Sequence, residues 1–200
     1  MAGAVLAGAG LVGCDGANAE PEPDPEPTTT QPEEPATPDP EETDSEPGDD
    51  EPGPQDYPHP EPGPDIDDEG QAGAEAAAVY FVELYSYIHA TGDFEAWDRL
   101  SADACGFCSG VRESVAEIYG SGGYVVTSPA NVLDVRSQVW PEDSADFAVA
   151  VVSEDPGFQD YDSDGELVEE FPPETVRSWV LLEYSADGWK VTGSEVEAVE

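Results

Sequence analysis

Two cysteines three positions apart, Cys105 and Cys108, have a spacing that could support chemistry in this 200-residue chain. A C-x-x-C pair can form a disulfide, act as a redox couple or contribute to a zinc site. A thioredoxin-type redox pair needs a preceding strand within a βαβ unit, whereas helices and a loop are predicted before this pair. Zinc needs about four ligands, and the chain offers only His59, His89 and Cys14 besides the pair. We therefore predict a structural disulfide between Cys105 and Cys108, with redox activity as the alternative.

Three alternating aspartates, Asp160, Asp162 and Asp164, are followed by Gly165 and match the first half of a calcium loop, D-x-D-x-D-G. The twelfth position of such a loop supplies a bidentate glutamate, and here it is Phe171. Weak calcium binding is one interpretation of this segment, and no other cofactor is expected. The alternative is a hairpin tip, in which Asp164-Gly165 forms the turn and the carboxylates stay in solvent.

An apolar run from Met1 to Gly13 ends in small residues and is followed by Cys14. It is too short to span a bilayer, which needs about 20 apolar residues. The pattern resembles a bacterial lipobox, which implies lipidation of Cys14 and removal of 1–13 as a signal segment. No Lys or Arg precedes the run, although signal peptides usually begin with positive charge, so we expect the true start to lie upstream. The alternative is an Ala/Gly-rich terminus with an incidental cysteine.

Residues 14–71 form the next predicted region, a Pro-rich acidic linker. Between 15 and 70 the chain holds 15 of its 20 prolines and 21 of its 47 acidic residues, without a Lys or Arg. Such a segment buries too little apolar surface to offset its ordering entropy and is predicted to be disordered. Alternating prolines and like-charge repulsion favour an extended spacer.

The charge balance restricts the possible partners. From residue 71 onward the chain has 26 acidic and five basic residues. The negative electrostatic field of this region repels phosphate backbones and anionic lipid surfaces, so we expect no nucleic-acid partner. A small apolar ligand or a protein remains possible, and contact with a membrane would be through the lipid anchor.

Periodicity predicts one α+β domain over residues 72–200. Apolar residues at helical spacing indicate helices over 74–90, 94–98 and 109–119, the second capped by Asp93. After residue 123 the period changes to two, which indicates strands. The predicted strands cover 124–127, 132–140, 147–152, 158–161, 166–171, 177–184 and 189–192. Helices followed by antiparallel strands favour helices packed on one face of a sheet, with the aromatic side chains mostly in the core.

This order, opening with Val79-Tyr80-Phe81 and continuing to Thr91-Gly92-Asp93, resembles the NTF2-like (cystatin-like cone) fold. The lipobox and linker, followed by Ala-Thr-Gly-Asp, Cys-Gly-Phe-Cys and Gly-Gly-Tyr, are similar to an actinobacterial lipoprotein family with a domain of unknown function. The resemblance covers roughly residues 75–195. It implies a cone-shaped cavity walled by the first helix, with Tyr85 and His89 as candidate pocket residues. A helix-end His89 satisfied by solvent or backbone is the simpler alternative, and no catalytic residue is assigned.

Three functions fit these observations. The first is a binding or interaction module held on the outer face of the cell membrane by a lipid anchor. The second is an enzyme of the isomerase or hydratase type, which the NTF2-like resemblance implies, with His89 or a buried carboxylate as base. The third is a passive acidic head with a filled interior. An open, polar-lined pocket that contains a titratable group with a perturbed pKa would distinguish the enzyme from the binding module. The passive head would have a filled interior and no exposed apolar patch.

Overall fold

The computed structural model describes residues 56–140 and 146–199. The predicted signal segment 1–13, Cys14 and the first part of the predicted linker lie outside the described residues. In the described part of the chain, no helix has both the length and the apolar character needed to cross a bilayer.

Three helices come first, close to their predicted positions: α1 is Gln71–Thr91, α2 is Glu95–Leu100 and α3 is Gly106–Gly120. Helix α1 ends at Gly92, whose φ of 68° favours glycine and whose N–H donates to the carbonyl of Ile88 at 2.8 Å. The ring of Tyr119 packs over this turn, where a Cβ at Gly92 would lie 2.8 Å from the ring. The N-cap residue of α2 is Phe94, and Asp93 before it supplies a hydrogen bond to the start of the helix, since its Oδ1 accepts from the N–H of Glu95 at 3.0 Å.

Seven strands follow the helices: β1 Tyr124–Thr127, β2 Asn131–Val139, β3 Phe147–Asp155, β4 Phe158–Tyr161, β5 Leu167–Phe171, β6 Glu174–Ser185 and β7 Gly188–Ala198. All strand pairings are antiparallel. The prediction of helices followed by antiparallel strands, an α+β domain, is confirmed.

The strands form two sheets, not the single curved sheet that was predicted: β1-β4-β5 and β2-β3-β6-β7. The chain changes sheet between β1 and β2, between β3 and β4, and between β5 and β6, and the second of these changes occurs at Pro156 and Gly157. Gly157 has a φ of 70°, and its N–H donates to Asp155 Oδ1 at 2.8 Å. This tight turn redirects the chain, so β4 pairs with β1 instead of continuing beside β3.

The core lies between α1 and the strands, and α1 contacts β1 of the first sheet and all four strands of the second. The predicted helical stripe Ala77, Phe81, Leu84 and Ile88 is buried. Phe81 stacks on Trp97 with ring centroids 4.6 Å apart, which joins α1 to α2. Burial of these aromatic rings supplies much of the apolar area that stabilises a domain of this size.

Residues 56–70 belong to the domain, which corrects the predicted linker boundary at residue 71. Tyr57 meets the ring of Tyr87 edge-on at 6.1 Å, and Ile66 packs against the core. The indole N–H of Trp189 donates to the carbonyl oxygen of Asp68. Composition misplaced the boundary because two apolar side chains among many prolines suffice for these contacts.

Two tryptophans that were expected in the core are on the surface. Trp140 is 52% exposed and Trp179 is 36% exposed, and Leu181 beside them is 37% exposed. These side chains lie along a groove on the four-stranded sheet. The helices pack against that sheet, and these side chains stay outside the packed layer.

Candidate functional site

A cavity of about 270 Å³ lies between α1 and the two sheets. Five aromatic side chains from four elements line it: Phe81, Tyr85, Phe107, Phe158 and Phe171. Phe81 and Tyr85 are four residues apart in α1, so they share one face of the helix. Phe107 is in the first turn of α3, and its ring centroid is 6.2 Å from that of Phe81 and 6.3 Å from that of Tyr85.

The opposite wall comes from the β4–β5 hairpin. Phe158 and Phe171 are partners in the register of this hairpin. Their side chains therefore lie on the same face, and the ring centroids are 4.2 Å apart. Phe171 is 39% exposed, which places it at the mouth of the cavity.

Polar groups occupy the wall that the four-stranded sheet provides. Ser153 and Ser178 are buried, and both line the cavity. Asp155 and Glu174 also line it, and they are partners in the register of β3 and β6. The Ser194 hydroxyl is buried and has no hydrogen-bond partner among the described residues. The cavity thus combines five aromatic rings with polar groups that lie mostly on the four-stranded sheet, while Ser86 of α1 also lines it.

Tyr85 is a neutral phenol over the physiological pH range. Burial raises the pKa of Tyr85 to about 12, and the negative charges of Asp155 and Asp160 act in the same direction. Its hydroxyl can therefore donate a hydrogen bond but cannot serve as an anionic base near neutral pH.

His89, the second predicted pocket residue, is buried behind the cavity wall. Its ring lies 4.4 Å from that of Tyr85 and 4.9 Å from that of Phe158, measured between centroids. The His89 Nδ1–H donates to the carbonyl oxygen of Tyr85 at 2.7 Å. Burial lowers the pKa of His89, although the hydrogen bond to Tyr85 and the charge of Asp155 oppose the shift. Only Tyr85 of the predicted pair is among the residues lining the cavity.

The aspartate-rich segment forms the tip of the β4–β5 hairpin. Asp162 Oδ1 accepts from the N–H groups of Asp164 and Glu166, each at 2.9 Å. Asp160 lies in β4, where burial raises the pKa of its carboxyl group and the charge of Glu169 adds to the effect. In the ranges 56–140 and 146–199, no group of three or more His, Cys, Asp or Glu side chains could hold a metal ion. The geometry matches the hairpin-tip alternative, because Asp162 uses its carboxylate to hold the turn.

The structure contains the predicted disulfide between Cys105 and Cys108, with both cysteines buried. Cys105 is the N-cap of α3, and its Sγ accepts from the N–H of Cys108 at 3.1 Å. The indole N–H of Trp97 donates to the carbonyl of Cys108 at 3.2 Å. The indole hydrogen bond to the Cys108 carbonyl joins the start of α3 to a tryptophan in the core.

Sequence reasoning missed most of the cavity. Phe158 and Phe171 carried a usable signal, because they stand at opposite ends of a predicted hairpin around the turn at Asp164-Gly165. The sequence carries no such signal for Asp155, because its place in the cavity lining depends on where β3 ends and on the turn at Gly157.

The solved structures that are similar to this chain include three with TM-scores below 0.5. The intermembrane-space region of the chloroplast protein ARC6 has a TM-score of 0.48 and 15% identity, covering 63% of this chain and 95% of that one. A candidate dehydratase of the NTF2-like family from Streptomyces avermitilis has a TM-score of 0.38 and 21% identity, covering 62% and 91%. A candidate aromatic ring hydroxylase from Novosphingobium aromaticivorans has a TM-score of 0.37 and 14% identity, covering 62% and 82%. At these scores the likenesses carry no inference about function.

The comparison with curated proteins found no significant match. The comparison with family models matched residues 43–195 to the Family of unknown function (DUF6318). That range includes the three helices and nearly all of the seven strands. The predicted resemblance to a family of unknown function is confirmed, while its lipoprotein and actinobacterial parts stay predictions. The chain belongs to the Family of unknown function (DUF6318).

Proposed function

We propose that this domain is a binding module that holds a small, largely apolar ligand in the cavity between α1 and the two sheets. The observation that carries the proposal is the lining of Phe81, Tyr85, Phe107, Phe158 and Phe171 around about 270 Å³. Ligand pockets are typically mostly apolar, with a few polar groups that fix orientation, and have volumes of roughly 300–1,000 Å³. A cavity slightly smaller than that range suits a compact molecule.

The same features support an NTF2-like cone as the finer description of the fold. Three N-terminal helices precede antiparallel strands, and the cavity lies between the first helix and the sheets. These are the features that the sequence resemblance implies.

The position of His89 argues against the form of the enzymatic alternative in which His89 is the base. An isomerase or hydratase needs its base within about 2.6–3.2 Å of the proton that it removes. The rings of Tyr85 and Phe158 contact His89 and both line the cavity, whereas His89 does not. A ligand in the cavity would therefore meet those two rings before it met the imidazole.

A blocking substitution tests the binding proposal. Ala130 lines the cavity from the loop between β1 and β2, and Ser128 is an exposed residue of the same loop outside the lining. The full chain would be titrated with 3,3-dimethylbutan-1-ol, cyclohexanol and indole while its melting temperature is recorded. Ligand at 100 times its Kd should add about 2.7 kcal/mol to the free energy of unfolding.

We expect at least one probe to raise the melting temperature of the wild-type chain and of Ser128→Phe, and to have no effect on Ala130→Phe. Equal shifts in all three proteins would place binding elsewhere, and no shift with any probe would overturn the proposal.

We also propose that Cys14 is lipidated and that the domain lies outside the cell, on the outer face of the membrane. The proposal rests on the lipobox-like sequence before Cys14. It is supported by the Cys105–Cys108 disulfide, because such bonds persist mainly in oxidising compartments. The acidic, Pro-rich residues after Cys14 would then separate the domain from its anchor.

A further inference from the structure

We propose that the ligand of the cavity is an organic cation, a compact alkylammonium compound. This inference rests on the proposed binding function and names the chemical class that the cavity selects. Its basis is the combination of aromatic walls, two unpaired carboxylates and the engagement of every basic side chain elsewhere.

The aromatic walls provide favourable surfaces for a diffuse positive charge. Ring faces carry negative electrostatic potential and attract a cation within about 6 Å of the centroid. Rings from α1, α3 and the β4–β5 hairpin line one small space. An alkylammonium group can contact several rings at once, because its charge is spread over methyl or methylene groups.

Two carboxylates give the cavity lining a negative charge. Asp155 and Glu174 lie opposite each other in the register of β3 and β6 and both line the cavity. In the described ranges neither forms an ion pair with a basic side chain. Asp155 Oδ1 accepts from the N–H of Gly157, which fixes the orientation of this carboxylate.

No basic side chain is available to balance these carboxylates. The five basic residues of the chain all have partners away from the cavity. Four are ion-paired: Arg99 with Glu95, Arg112 with Asp98, Arg136 with Asp134, and Arg177 with Glu197. The fifth, Lys190, donates from Nζ to the carbonyl of Arg99. An anionic ligand would therefore meet repulsion with no compensating charge, whereas a cation would be attracted.

An organic cation fits this chemistry better than a metal ion does. Calcium and magnesium require six or more oxygen ligands from carboxylates, carbonyls and waters. The aromatic rings in the lining of this cavity are not ligands of these ions. The buried Ser194 hydroxyl, which has no partner among the described residues, can instead accept from an N–H or O–H of the ligand.

A matched pair of probes distinguishes the effect of the ligand's charge from the effect of its shape. Choline and 3,3-dimethylbutan-1-ol have the same outline, and only choline carries the positive charge. Each would be titrated into the full chain at physiological ionic strength, with binding followed by NMR chemical shifts. We expect choline to bind at least about tenfold more tightly than the alcohol.

Variants that remove a negative charge test whether the cavity causes the tighter binding of choline. Asp155→Asn retains the acceptor for Gly157 N–H and removes the charge, and Glu174→Gln removes the charge at the exposed partner position. Each should reduce the ratio of the choline affinity to the alcohol affinity. Asp187→Asn, in the turn between β6 and β7, changes the net charge equally and should have no effect.

The outcomes of the two proposals are distinguishable. If the alcohol binds as tightly as choline, the cation proposal is overturned and the apolar binding site stands. If choline still binds to Ala130→Phe, the binding reflects general attraction to an acidic surface and the cation proposal is overturned. The same holds if Asp187→Asn weakens choline binding as much as Asp155→Asn and Glu174→Gln do. If neither probe binds, the cation proposal fails, and the neutral panel described above decides separately whether the cavity binds ligands at all.

Discussion

The indole Nε1 of Trp189 donates a hydrogen bond of 3.0 Å to the carbonyl oxygen of Asp68, which is 121 residues earlier in the chain. This bond joins the segment before α1 to the β6–β7 hairpin. Gly73 lies at the junction, where a Cβ would overlap the Asp68 carbonyl oxygen and approach the indole Nε1 to 2.7 Å. The packing of residues 56–70 against the rest of the domain thus requires a glycine at position 73.

Replacing Gly73 by alanine should destabilise the fold by about 1–3 kcal/mol, because the added methyl group overpacks a buried contact. The gain in helix propensity, about 1 kcal/mol, opposes this effect without cancelling it. Urea unfolding followed by circular dichroism would measure the difference.

Gly110→Ala is the matched control, since Gly110 is an exposed helical glycine whose added Cβ would meet nothing within 4 Å. It should stabilise the chain by up to about 1 kcal/mol. Stabilisation by both substitutions would contradict the described contact between Asp68 and Trp189.

Asp162→Ala should destabilise the tip of the β4–β5 hairpin by about 1 kcal/mol, because the N–H groups of Asp164 and Glu166 lose their acceptor. Asp164→Ala should have a smaller effect, because the acceptor of these two hydrogen bonds is the Asp162 carboxylate and not that of Asp164. Millimolar calcium should leave the melting temperature of the wild-type chain unchanged. A calcium-dependent increase that is lost in Asp162→Ala would revive the calcium-loop interpretation.

His89 should make the fold less stable as the pH falls. Burial lowers the pKa of His89 in the folded state, so below the ordinary value of about 6.5 the unfolded chain binds this proton more readily. The free energy of unfolding should therefore decrease from pH 7 to pH 5 by a larger amount in the wild-type chain than in His89→Asn.

The comparison between the two proteins removes the contributions of carboxyl groups such as Glu83 and Asp160. Burial raises the pKa of both, so protonation of these groups favours the folded state at low pH and acts against the histidine. Parallel pH profiles for the wild-type chain and His89→Asn would refute the assignment.

Cys14→Ser, introduced at the native locus, should release the protein from the membrane fraction into the medium. Two acyl chains give stable anchoring where a single chain is marginal. Detergent-phase partitioning and the intact mass of the mature protein would report the modification. Unchanged membrane association of the serine variant would refute lipidation as the anchor.

The elements were predictable because their periodicities are strong and local. The stripe Ala77, Phe81, Leu84 and Ile88 places α1, and the turn at Gly188 separates β6 from β7. Cys105 and Cys108 are close enough in sequence that their pairing needed little tertiary information. Such features depend on neighbours within a few residues.

The division into two sheets and the cavity were not predictable in the same way. β4 pairs with β1 as well as with its hairpin partner β5, and Tyr124 of β1 stacks on Tyr161 of β4. Sequence periodicity does not reveal a pairing between strands so far apart in the chain. The cavity requires α1, α3 and two hairpin strands to meet at one place. Its carboxylate Asp155 looks like any other acidic residue in a sequence that contains 47 of them.

The groove of Trp140, Trp179 and Leu181 on the four-stranded sheet has a consequence for colloidal behaviour. An apolar face of this kind promotes self-association unless something opposes it. At neutral pH the excess of 26 acidic over five basic residues after position 70 opposes it through repulsion between molecules. We expect this dispersing force to disappear as carboxylates become protonated in acid, so that light scattering rises while the secondary structure is still intact.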